Sequence, residues 1–203
     1  MPLDQYLATS SPYEFILESG WWNIEGFRGW CRTHPVSPQI RMVLSSDGSL
    51  VKNLSAYFLS PVQMEVPRQT EIALDAELSK FLELPEGSPA IARDVWMAWE
   101  SGQGGPKKVF AHSVIDRSSL SPEILQALSR RTTPIGALLE EFRIPVLRDH
   151  LHIGRLESRK LSRETRASET VFWARCLRLQ AAGEFRAAIL EVLLPEIFNG
   201  GIR

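Results

Sequence analysis

Six segments of the chain read as strands, two of them with a clear period-two alternation of apolar and polar residues, and apolar residues recur at helical spacing in most of the rest. In PVQMEVPRQTEI, Val62, Met64 and Val66 alternate with Gln63 and Glu65, which predicts a half-buried strand. Pro67 within it marks an edge or a bulge, because proline offers a ladder no amide hydrogen. AIARDVWMAWES and KKVFAHSVID are strand-like runs on either side of the turn-forming GQGGP, a β-hairpin with a long loop. VFWARCLRLQ and FRAAILEVLLP flank AAGE and predict a second hairpin. Residues 146 to 156 alternate as well.

Helix signals fall between these runs. SPQIRMVLSSDGSLVKNLSAYF predicts a short helix, a DGS turn and a second helix. LDAELSKFLELPEGSP reads as a helix ended by Pro85 and Gly87. SPEILQALSRR opens with Ser121 as N-cap and Pro122 in the first helical position, and TPIGALLEEF repeats the pattern with Thr133 and Pro134. The first 30 residues show helix-like spacing at Tyr6, Leu7, Phe15 and Ile16, WWNIEGFRGW reads as packed loop or short helix, and SRKLSRETRASE reads as a solvated charged excursion. Strands gathered in hairpins and helices in separate runs predict an α+β domain: an antiparallel sheet with helices on one side.

Composition narrows the class. The 203 residues suit a single domain, 1–203, and 44% apolar with 23% charged residues supports a real core. A net charge of −1 with no basic block excludes a broad nucleic-acid footprint. No apolar run reaches the roughly 18 residues that span a bilayer, and the N-terminus lacks the pattern of a secretory signal. Cys31 and Cys176, far apart in the chain, read as free thiols. The expectation is a soluble cytoplasmic protein, a monomer or weak dimer, with no nucleic-acid or membrane partner.

Two charges stand where strands should be apolar. Glu191, in AAILEVLLP, has apolar residues on both strand faces, so it is buried whichever face packs inward. A buried carboxylate must be paired, protonated or used. Arg93 shares a face with Ile91, Val95, Met97 and Trp99, and a guanidinium there must find an anion. Either the two form a structural ion pair, or Arg93 holds a ligand carboxylate while Glu191 faces a hydroxyl or ether oxygen across a small cavity. Spacing alone leaves both open. His150 and His152 could ligate a metal but bring no third or fourth ligand. GQGGP lacks the lysine of a phosphate loop, Ser113 lacks a nucleophile-elbow context, and Arg148 and Arg155 read as exposed.

The order of these motifs resembles the chorismate pyruvate-lyase family over roughly residues 40 to 198. SDGSLVKNL is similar to the family's early turn and helix, PVQMEVPRQ to its first long strand, and ARDVWM to the strand with its carboxylate-binding arginine. TPIGALL, RDHLHIGR and the closing WARCLRLQAAGE and LEVLLP follow in the same order. His112 stands where an arginine is usual, Asp116 where a proline is common, and residues 1–35 and 158–170 find no counterpart.

The resemblance implies a sheet of about six antiparallel strands with helical flaps over a buried ligand. It implies a lyase, without metal or other cofactor, that converts chorismate to 4-hydroxybenzoate and pyruvate. Arg93 would grip the ring carboxylate, Glu191 would face the oxygen at ring position four, and backbone amides near Leu50 and Ile135 would add contacts. Arg155, Arg68 or His112 would serve the second carboxylate. A related lyase giving another hydroxybenzoate is compatible. So is a domain that binds an aromatic acid without turnover, like the effector-binding domains of some transcription regulators.

Overall fold

A computed structural model describes residues 11–99, 106–181 and 185–198. Both expected hairpins are present and belong to one sheet. The first is β3 (Pro89–Ala98) with β4 (Val109–Asp116), the second β6 (Val171–Ala181) with β7 (Arg186–Leu193). Their loops, including most of GQGGP and AAGE, lie largely outside the described residues. β4 pairs with β7 and joins the hairpins at the centre of the sheet. β2 (Gln63–Ala73) flanks β3, and β5 (Val146–Glu157) flanks β6. β2 is an outer strand, and its register shifts between Glu65 and Arg68, where Pro67 predicts it.

The sheet has seven strands among the described residues, one more than the expected six. The addition is β1 (Ile16–Leu17), which pairs with Leu156 and Glu157 at the free edge of β5. Ile16 is therefore extended chain and Phe15 lies just before the strand, neither in a helix, because docking on that edge satisfies backbone groups that an isolated turn would leave to water. Tyr6 and Leu7 lie outside the described residues.

Among the described residues seven α-helices punctuate the strands: α1 (Ile24–Trp30), α2 (Pro38–Ser45), α3 (Leu50–Phe58), α4 (Ala76–Leu82), α5 (Pro122–Ser129), α6 (Ile135–Glu141) and α7 (Arg159–Thr165). Side chains of Asn23, Ser37, Ser49, Asp75, Ser121 and Ser158 cap six of them, each contributing about 1 kcal/mol. α6 departs from expectation: Pro134 itself is the N-cap and no side chain caps the helix, so Thr133 is freed from that task. The charged stretch after β5 also departs. It forms α7, because Ser158 caps it and Leu161 anchors it in the core.

Helices cover both faces of the sheet, not one. β7 is apolar on both sides, so each side must be shielded from water. On one face α4, α7 and the N-terminal Tyr13 and Phe15 pack over Trp96, Phe110, Phe172 and Leu190. On the other face the core is divided. α1, α2 and α3 cover one end, over Val95, Met97 and Leu193, while α5 and α6 cover the other, over Ile91, Ile115 and Leu179. The gap between these two helical groups is where charged residues collect.

At Gly154 on β5 an added Cβ would stand 2.8 Å from the Trp21 ring. Gly154→Ala should therefore destabilise the fold by about 1–3 kcal/mol, read as a lowered melting temperature. No helix among the described residues is long and apolar enough to cross a membrane.

Candidate functional site

The divided face contains a cavity of about 100 Å³ open to the centres of water molecules. One water needs roughly 10–15 Å³ by that measure, so the space suits a ligand of about one ring. Its floor is the sheet: Arg93, Val95 and Met97 of β3, Ala111 and Ser113 of β4, Ile189 and Glu191 of β7, and Arg175, Leu177 and Leu179 of β6. Its walls are two helix starts, residues 49–52 of α3 and 134–137 leading into α6. Lys52 and Glu140, one from each helix, form an ion pair of 2.8 Å and also line the cavity.

Sheet register explains which charges meet. Arg93 lies opposite Ser113, and Ser113 opposite Ile189, whereas Glu191 lies opposite Ala111 on one side and Arg175 on the other. Arg93 and Glu191 therefore stand on strands two spacings apart, about 10 Å, and one pleat out of line. They do not pair. The partner of Glu191 is Arg175, whose Nε donates to Glu191 Oε2 at 2.5 Å. The same guanidinium donates to the carbonyls of Ser46 at 2.6 Å, Val43 at 3.1 Å and Gly48 at 3.4 Å. Arg175 thus ties the carboxylate to the loop between α2 and α3. Alternation marks Arg175 as it marks Arg93: Trp173, Arg175, Leu177 and Leu179 share a face. Sequence reasoning missed it because Glu191 and Arg93 already offered each other as partners.

Arg93 is 1% exposed, yet it has no ion pair with a carboxylate among the described residues. Its Nη2 donates to the Thr133 carbonyl at 3.0 Å, and its Nε has no hydrogen-bond partner. Burial, with a smaller contribution from Arg131, lowers its pKa to about 10. It stays cationic at neutral pH and lines the cavity. An unpaired buried guanidinium is costly to the fold, and such costs concentrate at functional sites.

The remaining expected site residues divide. Leu50 and Ile135 line the cavity at the starts of α3 and α6. Arg68 and His112 do not reach it, because strand parity turns both to the opposite face. There Asp94, 1% exposed, accepts from Arg68 Nε at 2.5 Å and contacts His112 Nδ1 at 2.6 Å. Arg155 is also away from the cavity, bonded to Glu18 at 3.0 Å and lying over the Trp173 ring. Arg148 does line it, contrary to its reading as an exposed residue. His150 sits in a β-bulge with φ 49°, and His152 donates from Nδ1 to its carbonyl at 2.7 Å. No metal-ligand cluster of His, Cys, Asp and Glu occurs among the described residues. Cys31 and Cys176 are free, and burial pushes the Cys176 thiol up, away from thiolate chemistry.

Comparisons with solved structures find the same fold. The effector domain of PhnF from Mycobacterium smegmatis aligns with TM-score 0.60 at 9% identity, covering 74% of this chain and 91% of that one. A GntR-family transcriptional regulator from Bacillus cereus aligns with TM-score 0.52 at 10% identity, covering 70% and 97%. The C-terminal domain of the histidine utilization repressor from Pseudomonas syringae pv. tomato gives 0.51 at 10%, also over 70% and 97%. At such identities the likeness is one of architecture. No curated protein sequence matches significantly. The family model for chorismate pyruvate-lyase Rv2949c-like proteins matches residues 44–199, a span that includes every cavity-lining residue named above. The chain belongs to the chorismate pyruvate-lyase Rv2949c-like family.

Proposed function

We propose that the protein is a lyase, needing no cofactor, that converts chorismate to 4-hydroxybenzoate and pyruvate. The observation that carries this reading is a buried guanidinium without a carboxylate, Arg93, set across a one-ring cavity from the Glu191–Arg175 pair. Arg93 binds the ring carboxylate through its fork, and the first-turn amides at Leu50 and Ile135 add contacts to the ligand. Glu191, oriented by Arg175, accepts a hydrogen bond at ring position four.

The chemistry asks little more. A ring carbon gives up its proton, the electron pair completes the aromatic ring, and the ether C–O bond breaks. The departing enolpyruvate takes up a proton to become pyruvate, so protons balance. The aromatic product supplies the driving force, and the protein's tasks are positioning and proton transfer. A carboxylate gripped on one oxygen by a guanidinium is suited to the accepting role at that ring carbon.

A second reading, an aromatic-acid binding domain without turnover, draws on the fold shared with effector domains. Purified protein incubated with chorismate, with and without EDTA, separates them. Equal amounts of pyruvate and 4-hydroxybenzoate, unaffected by the chelator, are expected. Tight binding of 4-hydroxybenzoate with no pyruvate from chorismate overturns the lyase. A different hydroxybenzoate isomer keeps the reaction class and corrects the product.

A further inference from the structure

Four cationic side chains line the cavity, Lys52, Arg93, Arg148 and Arg175, against two carboxylates, Glu140 and Glu191. Both carboxylates are taken, Glu140 by Lys52 and Glu191 by Arg175. Two guanidinia are left over. Arg93 donates only to a backbone carbonyl, and Arg148 has no hydrogen bond or ion pair among the described residues. The carboxylate next to Arg148 in sequence, Asp149, faces the other side of the sheet and bonds to Arg178 in a fork, both contacts at 3.0 Å.

The two unused guanidinia approach the same short stretch. Arg93 Nη2 reaches the carbonyl of Thr133, and Arg148 Nη2 lies 3.6 Å from where a Cβ on Gly136 would stand. Arg148 arrives from β5, opposite the cavity-lining Leu179, and is half-buried. Arginines with structural tasks in this protein take up acceptors: Arg175 binds three carbonyls and Arg186 binds two. Arg148 does not. Like charges gathered in a partly desolvated space repel, and an anion of one charge leaves one of them uncompensated.

We propose that Arg148 is a specificity-determining residue that binds a second carboxylate of the ligand, so that the cavity selects a ring compound with two carboxylates over the same ring with one. The proposal rests on the reading that the cavity takes an aromatic or cyclohexadiene acid. The substrate carries two carboxylates and the aromatic product one, so Arg148 loses its anion when pyruvate departs.

The test uses the full chain and two stable probes, 3-(carboxymethoxy)-4-hydroxybenzoate with two carboxylates and 4-hydroxy-3-methoxybenzoate with one, measured by calorimetry. Wild-type protein should prefer the diacid by about tenfold or more, the range of a charge-assisted contact. Arg148→Gln should abolish that preference while leaving 4-hydroxy-3-methoxybenzoate affinity and melting temperature unchanged, and Arg148→Lys should restore part of it. Equal binding of the probes by wild type, binding of neither, or an unchanged preference in Arg148→Gln overturns the proposal. Chorismate turnover is scored separately. Diacid preference without pyruvate release sinks the lyase and keeps Arg148, whereas turnover without diacid preference does the reverse.

Discussion

Glu191→Gln should lower the turnover of chorismate by about 10²–10³-fold, the range for loss of a general acid or base, with the fold intact. Glutamine keeps the shape of the side chain, and its amide oxygen can still accept from Arg175 Nε. The grip of Arg175 on the carbonyls of residues 43, 46 and 48 therefore survives, and with it the wall formed by the start of α3. Single-turnover rates, 4-hydroxybenzoate affinity and melting temperature, taken together, read the difference. A purely architectural Glu191 would show wild-type turnover and a lower melting temperature. Arg175→Met provides the contrast. It leaves Glu191 buried without its cation and releases the loop, so stability should fall by about 3–5 kcal/mol along with activity.

Removing Arg93 should move function and stability in opposite directions. Arg93→Met should weaken binding of 4-hydroxybenzoate by about 100-fold, because a buried, hydrogen-bonded charge contact is worth a few kcal/mol. The same variant should melt at an equal or higher temperature. Its guanidinium is 1% exposed and, among the described residues, pairs with no carboxylate and leaves Nε without an acceptor, so an apolar replacement relieves a desolvated charge. The pH dependence agrees in sign. The folded pKa of about 10 lies below the ordinary value for a guanidinium. Between those values the unfolded chain binds more protons, and this group's contribution to stability rises with pH. Carboxylate affinity, which needs the charged form, falls over the same interval. Calorimetric titration and thermal melts test both halves. A large loss of stability in Arg93→Met with unchanged affinity would make Arg93 a fold element.

Alternation along the chain made the hairpins, the bulge near Pro67 and the two anomalous charges legible, because each depends on residues close in sequence. It also misled where a local rule met a tertiary one. SRKLSRETRASE is polar enough to read as solvated, yet a single residue, Leu161, docks it as a helix. Phe15 and Ile16 have spacing that suits a helix, yet a free strand edge captures Ile16 and Leu17.

The candidate site divides along the same line. Period two decided that Arg93, Arg175 and Glu191 leave the sheet on one face, and that Arg68 and His112, once aligned with Asp94, leave it on the other. Which of them touch was decided by strand order and register. Those join residues 16 apart for Glu191 and Arg175, and 40 apart for Arg93 and Thr133. A side chain's direction is a property of its own backbone. Its partner is a property of every pairing between the strands, and of the helices whose separation leaves the cavity open, so only the assembled fold contains it.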